Sequence, residues 1–324
     1  VLAGLLARAG QLREVAEAIG RRAPKFVLLT ARGTSDHAAL YAKYLVEIRL
    51  GLPAGLVSPS SMTLYGSRPD LTDVLFIAVS QSGGSPDLAE SVAVARRCGA
   101  MTVAVTNAPG SDLDLAAEFG VSVDAGPEIA VAATKSYTAE LLALHLLLAG
   151  DRDAATAAAG IPAAAAATLA RADAVYSAAA RYRFATRLVT TGRGYSYPTA
   201  LEGALKLMET SYLSAHAFSS ADLLHGPLAM VDSEVPVIAV RSAGLGGDSA
   251  AGVIDRLRSM GADVLVVGGA AWSDGLIVDG EGIDEDLLPI LEILPLQQFA
   301  WRLAVDRGED PDNPRGLAKV TKTL

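Results

Sequence analysis

Short apolar runs alternate along this chain with stretches of helical period. The runs at 26–30, 74–79 and 102–106, with a fourth at 121–123, are apolar at consecutive positions rather than at every second one. That pattern predicts strands buried on both faces, hence a parallel sheet wound by helices. The stretches at 36–50, 86–98, 111–118 and 134–149 predict the helices between and after them. The same succession of signals returns from 187 to about 307. An α/β chain with doubly wound parallel sheets is the expected fold class.

The return is a repeat. Arg32-Gly33-Thr34-Ser35 follows the run at 26–30, and Arg193-Gly194-Tyr195-Ser196 follows the run at 187–191, an offset of 161 residues. The same offset sets Ile77-Ala78-Val79 on Ile238-Ala239-Val240, and one residue of slip sets Gly99-Ala100 on Gly261-Ala262. Like signals in like order at one offset predict two copies of one α/β unit. The expected division is a helical segment at 1–25, a first unit at 26–150, an Ala-rich linker at 151–183, a second unit at 184–307 and a polar tail at 308–324. Alanine favours helix, so two helices broken at Gly160-Ile161-Pro162 are expected in the linker.

Composition narrows the function. Hydrophobic residues make up 51% of the 324, enough for large cores, and aromatics only 5%. The net charge of −9, without a basic stripe, argues against nucleic acid as a partner. No uninterrupted apolar run reaches the roughly 20 residues of a membrane span. Val1 to Ala9 is apolar but lacks a charged region before it, so no signal peptide is expected. The single cysteine, Cys98, excludes an intramolecular disulfide and fits a cytoplasmic protein. No His/Cys/Asp/Glu cluster has metal-ligand spacing, and neither a metal nor an organic cofactor is expected.

The sharpest local signal is Ser80-Gln81-Ser82-Gly83-Gly84-Ser85-Pro86, between a predicted strand and a predicted helix. Ser85 suits the N-cap and Pro86 the first helical turn. Free amides at the helix start, with hydroxyls and glycines, make a site for an anion such as a phosphate ester. An ordinary Gly/Ser-rich turn would read the same. The second copy has Arg241-Ser242-Ala243-Gly244-Leu245-Gly246-Gly247 there, without the hydroxyl cluster, which favours a functional first copy. No Walker lysine and no G-x-G-x-x-G motif is present, so nucleotides are not the expected ligands.

In the second copy a helix is expected over 198–212, with Leu201, Leu205 and Met208 on its apolar face and Glu202, Lys206 and Glu209 as a second stripe. By themselves the charges read as a solvated i,i+4 pair worth a few tenths of a kcal/mol, with a functional stripe as the other reading. His225 precedes Gly226-Pro227 in a turn, where a functional histidine and an idle one are both open readings. His145 falls in a Leu-rich helix and is expected to be structural. Lys319, in the polar tail, reads by itself as a solvated lysine.

Together these motifs carry a resemblance over nearly the whole chain. Gly33-Thr34-Ser35, Ser80-Gln81-Ser82-Gly83, Glu128-Ile129-Ala130-Val131, Ala200-Leu201-Glu202-Gly203-Ala204-Leu205-Lys206, His225-Gly226-Pro227 and Pro314-Arg315-Gly316-Leu317-Ala318-Lys319 stand in the order they have in one family. The chain resembles the tandem sugar-isomerase (SIS) domain phosphosugar isomerases, and within them the isomerase part of glutamine–fructose-6-phosphate aminotransferase. The resemblance implies two tandem SIS domains with flavodoxin-like sheets. It implies that Ser35, Ser80, Gln81, Ser82 and Ser85 hold a sugar phosphate and that Val131 and Ala318 line the sugar. It further implies that Glu209 moves a proton between C1 and C2, and that Lys319 forms a Schiff base with the open-chain ketose. Lys206 would support the site, and His225 would assist ring opening from across a homodimer interface.

Three departures qualify the resemblance. Gly84 stands where the family has an acid, Ser85 where it has Thr, and Met208 where a lysine is common. The glutaminase domain of the synthase is absent from this sequence. The expected activity is therefore an aminosugar-phosphate isomerase/deaminase converting glucosamine 6-phosphate to fructose 6-phosphate and ammonia. The alternatives are the isomerase half of a glutamine-dependent synthase, a fructosamine-6-phosphate deglycase, and a non-catalytic phosphosugar sensor.

Overall fold

The computed structural model describes residues 1–150, 153–270 and 275–319. It divides into two compact units, one of 1–129, 133–159 and the tail from 318, the other of 130–132 and 160–317.

The first unit opens with α1 (Leu2–Ala7) and α2 (Ala9–Arg22), then runs β1 (Phe26–Thr30), α3 (Thr34–Leu45), β2 (Ala54–Leu56), α4 (Pro59–Thr63), β3 (Val74–Ser80), α5 (Pro86–Arg97), β4 (Met101–Thr106), α6 (Asp112–Ala116), β5 (Phe119–Ser122), α7 (Lys135–Leu148) and α8 (Ala154–Ala157). Its five strands are all parallel, in the order β2-β1-β3-β4-β5. The consecutive apolar runs have the expected cause: every residue of β4, and every residue of β3 after Val74, is buried.

Two details depart from the sequence reading. The helix expected over 36–50 keeps α-helical form only to Leu45, and Val46–Leu50 forms a π-helical turn that closes on Gly51 at φ +63°. The strand β2 was not predicted, because three residues (Ala-Gly-Leu) at a sheet edge are too short to show periodicity. The helix α7 is buried on nearly all sides, with only Lys135 of its fourteen residues outside the core. That is the signature of a central helix rather than an amphipathic one. His145 lies in it, fully buried, as expected.

The second unit runs α9 (Ile161–Leu169), α10 (Ala172–Tyr182), β6 (Arg187–Gly192), α11 (Ser196–Ser211), β7 (Ser214–Ser219), α12 (Ser220–Leu224), β8 (Val237–Arg241), α13 (Leu245–Ser259), β9 (Val264–Gly268), β10 (Leu276–Ile277) and α14 (Pro289–Asp306). Its parallel sheet has the order β10-β9-β8-β6-β7. Read from β7, this is the same order as in the first sheet, second strand, first, third, fourth and fifth. The Ala-rich stretch forms three short helices rather than two. Gly160 is the N-cap of α9, and α9 and α10 both pack on α14.

The equivalence reaches into the cores. In the first unit the Ser35 hydroxyl donates to Glu140 Oε1 at 3.0 Å, and in the second the Ser196 hydroxyl donates to Glu292 Oε1 at 3.0 Å. Each serine lies in the first turn of the helix after its unit's first strand, each glutamate lies on the last long helix, and all four are buried. In both sheets the chain leaves the first and third strands in opposite directions, which opens a crevice at their carboxyl ends. Ligands of doubly wound sheets bind at such a switch point.

Candidate functional site

The first unit's crevice lies between β1 and β3, paired in register from Phe26 with Val74 to Thr30 with Ala78. The Ser80–Ser85 loop stands on one side of it and the start of α3 on the other. Pro86 is the first residue of α5 and Ser85 its N-cap, as the sequence predicts. Ser85 makes no side-chain capping bond, so its hydroxyl is not spent on the helix. The Gly83 amide donates to Ser80 Oγ at 3.2 Å and the Gly84 amide to Ser82 Oγ at 3.3 Å. A hydroxyl that accepts in this way keeps its own proton to donate. Gly83 is required: at φ +59°, a Cβ here would stand 2.0 Å from Ser111 Oγ. The loop is fastened from behind by the Leu113 amide on Gly83 O and the Asn107 amide on Gln81 O, both at 3.2 Å. Its geometry suits an anion, with hydroxyl protons and a helix N-terminus on one concave face.

Two features of this crevice escaped the sequence reading. Arg32, from the β1–α3 loop, lies 2.6 Å from Asp87 in the first turn of α5. Asp87 is buried while Arg32 is half exposed, so the pair ties the two sides of the crevice together and leaves part of the guanidinium to solvent. Ser35, by contrast, is turned inward and its proton goes to Glu140. Glu128, from the quoted motif, caps α7 by accepting from the Ser136 amide at 2.8 Å and the Ser136 hydroxyl at 2.6 Å. Burial raises its pKa, but the Ser136 bonds and the Lys135 ammonium outweigh burial and hold it below the usual carboxylate range. Ala318 and Lys319 also belong to the first unit, Ala318 exposed and Lys319 half-buried.

The second unit holds Val131, Lys206, Glu209 and His225. The charged stripe on α11 is where the structure overturns expectation. Glu202 is fully buried and Lys206 only 2% exposed, whereas Met208 from the expected apolar face is 42% exposed. The solvated-pair reading therefore fails, and the two faces exchange roles. Lys206 Nζ sits 3.2 Å from Glu202 Oε1 and 2.6 Å from Glu209 Oε2. Burial pulls the Lys206 pKa down, but Glu202 and then Glu209 more than offset it, and the net direction is up. Lys206 is thus an ammonium that holds Glu209, itself partly exposed, in a fixed pose. Glu202, which the sequence placed in the stripe but gave no role in the site, is the buried partner that holds Lys206. His225 is exposed at the end of α12, its amide donating to Asp222 O at 2.9 Å. The Val131 amide reaches Asp312 O at 3.4 Å.

The second unit's own crevice loop is built differently. The Leu245 and Gly246 amides, at the start of α13, donate to Glu285 Oε2 and Oε1 at 3.0 and 2.8 Å. A carboxylate of the chain itself occupies the place that would take an anion. Beneath it Glu292 shares Ser196 with Ser242, whose Oγ lies 2.9 Å from Ser196 Oγ. Burial drives the Glu292 pKa up to about 8, against the lowering effect of the two serines. Among the described residues no group of three His, Cys, Asp or Glu side chains could hold a metal, and no helix is long and apolar enough to cross a membrane.

Comparison with known proteins agrees with this architecture. The SIS domain pattern matches residues 22–150 and 182–273. An isomerizing glutamine–fructose-6-phosphate aminotransferase from Methanothermobacter thermautotrophicus is 35% identical over 302 residues, covering 90% of this chain and 51% of the relative. The chain thus spans about half the length of the curated relatives it matches. A proposed phosphosugar isomerase from Silicibacter pomeroyi superposes with a TM-score of 0.85 at 33% identity, over 96% of each chain. The C-terminal domain of glucosamine-fructose-6-phosphate aminotransferase from Francisella tularensis superposes with a TM-score of 0.83 at 27% identity, over 93% of this chain and 89% of that one.

Proposed function

The chain belongs to the SIS domain family, and from that premise we propose that it is a phosphosugar isomerase acting on an aminosugar phosphate. The reaction is conversion of glucosamine 6-phosphate and water to fructose 6-phosphate and ammonia. The observation that carries this reading is the contrast between the two crevice loops. One offers unspent hydroxyls at a helix start, and the other is filled by Glu285.

The first unit binds the phosphate end. Ser80, Gln81, Ser82 and Ser85 donate to it, with the α5 dipole behind them. Ser35 joins them only by releasing Glu140. Val131 and Ala318 line the sugar. Phosphate anchoring supplies binding energy remote from the reacting carbons.

The second unit supplies acid–base chemistry. Glu209 carries the proton between C1 and C2 of the open-chain sugar, and Lys206 fixes its carboxylate. His225, from a second copy in a homodimer, assists ring opening. Lys319 forms an imine with the ketose. The proton shift from C2 to C1 turns the C2 amine into an imine, the Lys319 amine adds to C2 and expels ammonia as the C2–N bond to it breaks, and water hydrolyses the resulting Lys319 imine to return the lysine and release fructose 6-phosphate. None of these steps requires a metal or an organic cofactor.

Ammonia release from glucosamine 6-phosphate by the purified chain, abolished in Glu209→Gln while binding persists, is the expected result. A sensor would bind the sugar and release nothing. The lengths of the aminotransferase relatives favour a second reading, the isomerase half of a glutamine-dependent synthase. That reading predicts aldose–ketose isomerisation of hexose 6-phosphates without ammonia release.

A further inference from the structure

A cavity of about 560 Å³ opens in the second unit at the carboxyl ends of β8, β9 and β10. Its size falls within the ~300–1,000 Å³ typical of small-molecule sites. Nothing in the phosphosugar reading uses it. Its walls include Ser242, Gly269, Val278, Asp279, Glu281 and Glu292.

The first unit shows why the cavity exists. There Asn107 fills the corresponding corner, its amide nitrogen donating to Gly126 O at 2.8 Å and its oxygen accepting from the Ala125 amide at 2.7 Å. At the offset that sets Gly99 on Gly261, Asn107 falls on Gly269, which has no side chain to bridge the loops. The space is left open.

The lining chooses the ligand. Among the described residues no lysine or arginine lines the cavity. Asp279 is held by Arg171 through two contacts of 2.6 Å, whereas Glu281 is exposed and forms no ion pair among the described residues. Glu292 is 1% exposed, with Oε1 taken by Ser196 and Oε2 without a hydrogen-bond partner. The α13 amides that could attract a phosphate are already satisfied by Glu285.

We propose that the second unit carries a small-molecule site of its own in this cavity, and that it takes a phosphate-free ligand bearing an amine among hydroxyls. Glu292, which gives its proton to solvent as the ammonium docks, and Glu281 meet the amine, Ser242 and the Gly268–Ala270 backbone meet the hydroxyls, and Glu285 turns phosphate esters away. The site is independent of the crevice in the first unit.

The test is calorimetric titration of glucosamine into the full chain, alone and with saturating fructose 6-phosphate. Wild-type protein should bind glucosamine at one site, more tightly than glucose, with fructose 6-phosphate leaving the affinity unchanged. Gly269→Asn, which restores the bridging side chain, should abolish binding. Glu292→Gln, nearly isosteric, should weaken it about 10–100-fold, the loss expected for a hydrogen bond to a charged group. Both variants should bind fructose 6-phosphate as wild type does, so a failure here is distinguishable from a failure of the phosphosugar reading. Glucosamine that gives no heat, that is displaced by fructose 6-phosphate, or that binds both variants like wild type would overturn the proposal. So would equal affinity for glucose. If Gly269→Asn does not fold, Glu292→Gln decides alone.

Discussion

The loops after β3 and β8 occupy the same place in two copies of one sheet, yet one is open to an anion and the other supplies its own. In the first, hydroxyls accept from the loop's amides and retain their protons. In the second, small residues let Glu285 reach the amides directly. A Cβ on Gly244 would stand 2.3 Å from that carboxylate, and one on Gly246 would stand 2.9 Å from it. One fold therefore presents a helix start as a binding site or closes it, and a few side chains decide which. The buried Ser–Glu pairs behind both loops are retained, which marks them as part of the scaffold rather than of the difference between the loops.

The largest expected effect tests the chemistry that only the second unit has. Lys206→Met would leave Glu202 buried without its partner and should cost about 3–5 kcal/mol in denaturant unfolding. Adding Glu202→Gln should recover part of that loss. A change near zero would mean that the buried triad is not holding Glu209.

Glu292 comes next. Its carboxyl, pushed up to about 8 by burial, keeps a proton that the unfolded chain releases above about 4.3. The folded state binds the extra proton between those values, so stability from this group is complete at low pH and declines as pH rises toward 8. The decline is at most ~1.4 kcal/mol per pH unit. Thermal melts from pH 5 to 8 should fall less steeply for Glu292→Gln than for wild type, and parallel curves would contradict the assignment.

Smaller effects sharpen the contrast between the loops. Removing a donor to an anion costs about 1.5–3 kcal/mol, so Ser82→Ala should raise the KM for the phosphosugar about 10–100-fold. Glu285→Ala should cost about 1 kcal/mol, as the loss of a helix cap does. Its melting temperature should then rise with added inorganic phosphate by more than that of wild type, because the α13 amides become available. An equal response of the two proteins would mean that Glu285 is only a structural brace.

Much of the fold was legible in the sequence because parallel strands leave continuous apolar runs, and β1, β3, β4 and β6 sit where those runs lie. The Ser85 N-cap and Pro86 at the first turn were legible because capping is local chemistry. Three features were not. The stripes on α11 were assigned to the wrong faces because a buried ion triad has the same spacing as a solvated one, and only burial tells them apart. The Ser–Glu pairs were hidden because their serines repeat at 161 residues and their glutamates at 152. Glu285 was hidden because the amides it caps lie about 40 residues upstream.

The most direct measurement is the affinity for fructose 6-phosphate of two matched variants, Ser82→Ala in the first loop and Ser242→Ala in the second. The first should bind about 10–100-fold more weakly than wild type, and the second should bind as wild type does. Equal losses in both, or a loss confined to Ser242→Ala, would contradict the assignment of the phosphate to the first unit.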